Sequence, residues 1–167
     1  MKKLLLLLMG ILLVLTGCSN EEKNYVEISS FDVDMSGYEG MSATDHHFRG
    51  ITPEEFIRVY EEDGTAVFYI GYTECPNCQS SVATFEEAAA ETDATIYYLD
   101  PYSEEYDFFA YMDDLTTILD PILRHEDGQA IIYTPHIFAM VNGEFKTSLI
   151  GNGDKLDEVI ALIEETK

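Results

Sequence analysis

The chain has no tryptophan, and its 167 residues carry only 9 lysines and arginines against 32 aspartates and glutamates. With a formal net charge of −23 there is no basic footprint, so nucleic acid is excluded as a partner. The acidic excess reads as a solvated surface that preserves solubility and repels anionic lipid headgroups. Cysteine is scarce: Cys18, Cys75 and Cys78 are too few for a disulfide-stapled scaffold. A bridge between Cys75 and Cys78 closes so short a loop that its value is chemical rather than structural. Zinc wants four ligands, usually from a second CxxC or a histidine pair. There is no second CxxC, and the histidines are His46, His47, His125 and His136, so no metal is expected. Internal repeats, low-complexity blocks and an apolar run of about 20 residues, long enough to span a membrane, are also missing.

The longest apolar run lies at the start. Met1-Lys2-Lys3 is a short basic lead, and Leu4 to Leu15 is almost unbroken hydrophobic sequence, the length and flanks of a secretory signal peptide. The run ends in Leu15-Thr16-Gly17-Cys18, which resembles the bacterial lipobox, whose cysteine is acylated before cleavage. That resemblance implies a signal peptide over residues 1–17 and a palmitate-type lipid on Cys18. It also implies a chain held at the extracytoplasmic face of the cell membrane. Residues 18–50 then read as a lipidated tether and irregular segment, with a marginal edge strand over Tyr25 to Val33. Residues 51–167 read as one domain.

Regular structure begins with Thr52-Pro53-Glu54-Glu55, where an N-cap, a first-turn proline and a capping-box glutamate coincide. Phe56, Val59 and Tyr60 give that helix an apolar face, and Gly64 is placed to end it. Thr65 to Tyr72 is a continuous apolar run, as in a strand buried on both faces. Cys75-Pro76-Asn77-Cys78 follows at once and opens a helix to about Glu91. Ala94 to Leu99 is a second buried strand. Ser103 is placed to cap a longer helix with Phe108, Met112, Leu115 and Leu119 inward, interrupted at Asp120-Pro121. His136 to Ile150 predicts a hairpin about Asn142-Gly143, and Asp154 caps a last helix bearing Leu156, Val159, Ile160 and Ile163.

A CxxC at a strand-to-helix junction is the setting of a redox pair. The helix N-terminus favours a thiolate, so Cys75 is the expected nucleophile, and Cys78, one turn inside, the resolving thiol. Together with Thr134-Pro135 ahead of the hairpin, the βαβ then ββα order over Ile51 to Lys167 resembles the thioredoxin superfamily. The lipoprotein signal and the Thr-Pro element are similar to Gram-positive bacteriocin transport accessory proteins. The resemblance implies an α/β fold, a mixed sheet of about four to five strands flanked by helices, here with an extended middle helix. It implies a cis Pro135, with the backbone of Thr134 binding substrate. The implied activity is a membrane-anchored, extracytoplasmic thiol–disulfide oxidoreductase acting on exported thiol or disulfide proteins and peptides. No cofactor is expected beyond the Cys75–Cys78 disulfide.

Departures from thioredoxin bear on rate. Pro76-Asn77 replaces Gly-Pro, Glu74 stands in the place of a tryptophan, and Tyr69 in that of a buried aspartate that helps deprotonate the resolving cysteine. His136, next to Pro135, is a candidate cation beside Cys75, or else a histidine packed under the hairpin. Two other functions fit the residues: a lipid-anchored binding or chaperone module on the same fold, and a metallochaperone holding a soft metal through Cys75, Cys78 and a histidine.

Overall fold

A computed structural model describes residues 22–151 and 155–167; the signal segment, Cys18 and Asp154 lie outside the described residues. Strands β1 (Phe48–Gly50), β2 (Ala66–Ile70), β3 (Ile96–Leu99), β6 (His136–Val141) and β7 (Glu144–Ile150) form one mixed sheet in the order β1-β3-β2-β6-β7. The first three are parallel; β6 runs antiparallel to both β2 and β7. Helices α2 (Pro76–Thr92) and α4 (Leu156–Glu164) cover one face, and α1 (Pro53–Glu61) and α3 (Met112–Leu119) the other. Among the described residues no helix is long and apolar enough to cross a membrane.

Strand β2 is buried at every residue because both its faces are roofed by helices. The two-residue period sends Val67 and Tyr69 toward α2 and α4, and Ala66, Phe68 and Ile70 toward α1 and α3. On the second face Phe68 meets Phe56 edge-on, with ring centroids 5.0 Å apart, and stacks on Phe138 at 5.6 Å. Thr52 caps α1 as predicted, its hydroxyl accepting from the Glu55 N–H at 3.1 Å. The carboxylate of Glu55 turns instead to Arg58 and to the Ser29 N–H. The left-handed residue after α1 is Asp63 rather than Gly64.

Among the described residues, the segment before residue 51 belongs to the packed body. Met35, Tyr38 and Phe48 are buried in the core beneath α2, and Phe48–Gly50 pairs with β3 as a parallel edge strand where loop was predicted. The marginal strand expected over residues 25–33 reduces to a single bridge between Phe31 and Gly50.

The extended middle helix is corrected. Between residues 100 and 107 short polar side chains bond to nearby backbone and compete with helix. Asp100 accepts from the Tyr102 N–H at 2.8 Å, and Ser103 from the Glu105 N–H at 3.2 Å. Asp107, not Ser103, caps a 3₁₀ turn over Phe108–Tyr111, which leads into α3; a second turn, Asp120–Ile122, follows. Phe108, Leu115 and Leu119 are buried as their spacing predicted. The remaining length forms a small hairpin, β4 (Arg124–Glu126) with β5 (Gln129–Ile131), about Asp127-Gly128 at positive φ. The hairpin of β6 and β7 turns at Asn142-Gly143, at φ 52° and 73°.

The first described residues and the C-terminus meet at one pole. Lys23 Nζ donates to the Glu165 carbonyl at 2.8 Å, and the Tyr25 hydroxyl to that of Thr166 at 2.8 Å. Asn24 N–H donates to Asn142 Oδ1 at 2.7 Å, and the Asn142 N–H donates to the hydroxyl of Thr65, the residue before β2. From there β2 runs its full length, about 17 Å at ~3.3 Å per residue, before the turn that carries the cysteines.

Candidate active site

Strand β2 ends at Ile70, and the turn from Gly71 to Glu74 delivers Cys75 as the N-cap of α2. Gly71 is required by close approach: a Cβ there would collide with the Tyr69 hydroxyl folded beneath the turn. Cys75 and Cys78 are joined by a disulfide, their Cα atoms 5.2 Å apart. Cys75 retains 4% exposure and Cys78 none, so Cys75 is the sulfur that an outside group can reach. The Cys78 N–H donates to Cys75 Sγ at 3.2 Å, which adds to the partial positive charge of the helix N-terminus. Opposite stands Thr134, whose hydroxyl lies 3.5 Å from the same sulfur and whose carbonyl oxygen lies 3.7 Å from it. The Thr134–Pro135 bond is cis. Pro76, Asn77 and Glu74 are exposed on the rim, and Glu74 accepts from the Thr73 hydroxyl.

No protein-family model matches the chain, and no curated protein matches it. Solved structures do. Thioredoxin from Aeropyrum pernix aligns with a TM-score of 0.51 at 18% identity, over 70% of this chain and 85% of its own. Thioredoxin O2 from Arabidopsis thaliana, in the oxidised state, aligns at 0.51 and 16% identity, over 75% of this chain and 100% of its own. The fold is that of thioredoxin.

On this thioredoxin fold the core under the disulfide is lined with tyrosine. Tyr69 is fully buried and stacks on Tyr98 at 5.3 Å. Its hydroxyl lies 3.5 Å from that of Tyr38, which lies 3.0 Å from that of Tyr98, which donates to Asp100 Oδ2 at 3.1 Å. Burial pushes the Tyr69 and Tyr98 hydroxyls well above their usual range and that of Tyr38 up to about 12, so all three stay protonated. Burial also raises the Asp100 carboxyl. The Tyr102 N–H and the Tyr98 hydroxyl oppose that rise, and the charge of Glu74 adds to it. Where a carboxylate was missed in the sequence at Tyr69, a hydroxyl chain leads to one at Asp100.

His136 does not serve as the cation. It alternates with Ile137, which faces α2, and so points with Phe138 to the opposite side of the sheet from the cysteines. Burial first, and the charge of Arg124 second, push its imidazole down to about 4, so it is neutral near pH 7. The other loop histidines have structural partners: His46 Nε2 meets the Val33 carbonyl at 3.0 Å, and His47 Nδ1 meets Glu86 at 2.7 Å.

Gln79 is a site residue that the sequence reading missed. Its amide nitrogen donates to the carbonyls of Gly37 and Thr73, and its oxygen accepts from the Glu39 N–H at 2.9 Å. It thereby fastens the segment around Tyr38 to the turn before Cys75. The available signal was Met35 and Tyr38, two large apolar residues in a stretch otherwise rich in Gly, Ser and Asp.

Proposed function

We propose that the chain is a membrane-anchored, extracytoplasmic thiol–disulfide oxidoreductase that acts on exported proteins or peptides through Cys75 and Cys78. The observation that carries this reading is the Cys75–Cys78 disulfide at the N-terminus of a 17-residue helix, with the more accessible sulfur against Thr134. The Cys75 thiolate attacks a substrate disulfide, forms a mixed disulfide and releases one substrate thiolate. Cys78 then attacks Cys75 Sγ, closing the pair and releasing the second thiolate, so two electrons pass to the substrate. Run backward, the same steps oxidise a substrate dithiol. The Cys78 N–H, the helix dipole and the Thr134 hydroxyl all favour negative charge on Cys75. The backbone of Thr134, half-exposed beside the sulfur, is the surface on which a substrate strand pairs.

Equilibrating the full chain carrying Cys18→Ser with glutathione buffers should give one two-electron transition for the pair, between about −270 and −120 mV. A value near −120 mV makes the protein a disulfide donor, and one near −270 mV a reductant. Failure to form the disulfide overturns the reading in favour of the binding or chaperone module.

The anchor has its own test. The wild-type chain, expressed in a bacterium fed labelled palmitate, should take up label and sediment with membranes, and Cys18→Ser should do neither. Label retained by Cys18→Ser would remove the lipid from the reading.

A further inference from the structure

Beside the disulfide, a cavity of about 180 Å³ opens between the end of β3 and α3. Tyr72, Tyr102, Phe109, Met112, Ile132 and Thr134 line it. Its volume is below the ~300–1,000 Å³ of pockets for whole small molecules and suits one large side chain. Thr134 belongs to both places: it walls the cavity, and its hydroxyl lies 3.5 Å from Cys75 Sγ. A strand advances about 3.3 Å per residue. A peptide held through its cysteine at Cys75 therefore brings a side chain within two residues of that cysteine to the opening.

The rim is unusual in two respects. Tyr102 is 62% and Phe109 55% exposed, two of the three exposed large hydrophobic residues among those described. They extend a ladder of edge-on rings, Tyr72 to Tyr102 at 4.8 Å and Tyr102 to Phe109 at 5.9 Å. Exposed aromatic edges at the mouth of a cavity walled mostly by aromatic and aliphatic residues are the usual anchors of an interface. The second respect is charge. No lysine or arginine occurs between Arg58 and Arg124, a stretch that holds the disulfide turn and all of the cavity lining except Ile132 and Thr134. In that stretch Glu74, Glu104, Glu105, Asp107, Asp113 and Asp114 are exposed.

We propose that this cavity selects the substrate. It takes a large apolar side chain, aromatic or branched, from an extended cysteine peptide whose flanks are positively charged. The inference rests on the oxidoreductase reading. It adds to that reading a pocket built by the segment from Pro101 to Met112, and the charge complementarity of its rim. No new bond is made in the cavity; it raises the residence of one class of peptide at Cys75.

The test uses the full chain, reduced and carrying Cys18→Ser. Its probes are four disulfide-linked peptides with Phe or Ser two residues from the cysteine and Lys or Glu flanks. A fifth probe, bis(2-hydroxyethyl) disulfide, is neutral and too small to span both places. With rates normalised to the small disulfide, the Phe peptide with Lys flanks should react about tenfold faster than its Ser counterpart. Its advantage over the Glu-flanked peptide should shrink as salt rises from about 0.01 to 1 M. In the Tyr102→Ser/Phe109→Ser double variant the normalised Phe preference should fall to about one. Reaction with the small disulfide but equal rates for the Phe and Ser peptides would overturn the cavity while the oxidoreductase reading stood. No reaction with any disulfide would overturn both.

Discussion

Cys78→Ser should convert the protein from a catalyst into a trap. Cys75 is the sulfur with any exposure, and it receives the Cys78 N–H and the Thr134 hydroxyl, so it still attacks. With no second thiol inside the helix, the mixed disulfide has no internal exit. Turnover of a peptide disulfide should drop on the order of a thousandfold or more, because the two sulfurs act as a unit. Intact-mass measurement should meanwhile show one substrate fragment per chain. Cys75→Ser should lose turnover to the same degree and show no adduct. An adduct on Cys78 in that variant would reverse the assigned roles. A serine at the fully buried position 78 also places a hydroxyl in the core, at about 1–3 kcal/mol, so the adduct and not the melting temperature is the readout.

The second large effect concerns pH and stability, and it comes from His136. In the unfolded chain its imidazole titrates near 6.5; in the fold, burial and then Arg124 hold it neutral down to about 4. Between those values the unfolded state binds more protons, so acid destabilises the fold. The contribution is fully present above pH 6.5 and falls by about 3 kcal/mol on reaching pH 4. Asp100, whose carboxyl burial raises, works with the opposite sign at the acid end, so the comparison must be made against a variant. His136→Leu should lose less stability in denaturant titrations between pH 7 and 4, by about 3 kcal/mol. At pH 7 the variant should already gain about 1 kcal/mol or more, because among the described residues neither ring nitrogen of His136 meets a hydrogen-bond partner. Parallel stability curves for the two proteins would show that the imidazole is not titrating as its burial requires.

What the sequence disclosed, and what it hid, follows physical lines. Signals carried by adjacent residues were legible: the Thr52-Pro53 cap, the apolar run of β2, the cysteines at the strand-to-helix junction, and Asn142-Gly143. Asp127-Gly128 carried the same turn signal and was passed over, because its strands are only three residues long and mostly exposed. Contacts between distant segments were not legible. Nothing near Tyr38 announces that its hydroxyl will meet those of Tyr69 and Tyr98, or that Gln79 will fasten its loop. Periodicity located Phe108, Leu115 and Leu119 in the core and overstated the helix, since spacing reports a face and not the local bonds of Asp100 and Ser103.

The meeting of the two ends of the described structure beside Thr65 has a geometric consequence for the proposed membrane anchor. Whatever is attached upstream of Glu22 pulls on the end of the sheet away from Cys75. A lipid at Cys18 would moor the body by its back, with the sulfur facing the medium. Soluble peptides would then meet Cys75 directly, whereas a partner embedded in the same membrane would have to arch over the body to touch it.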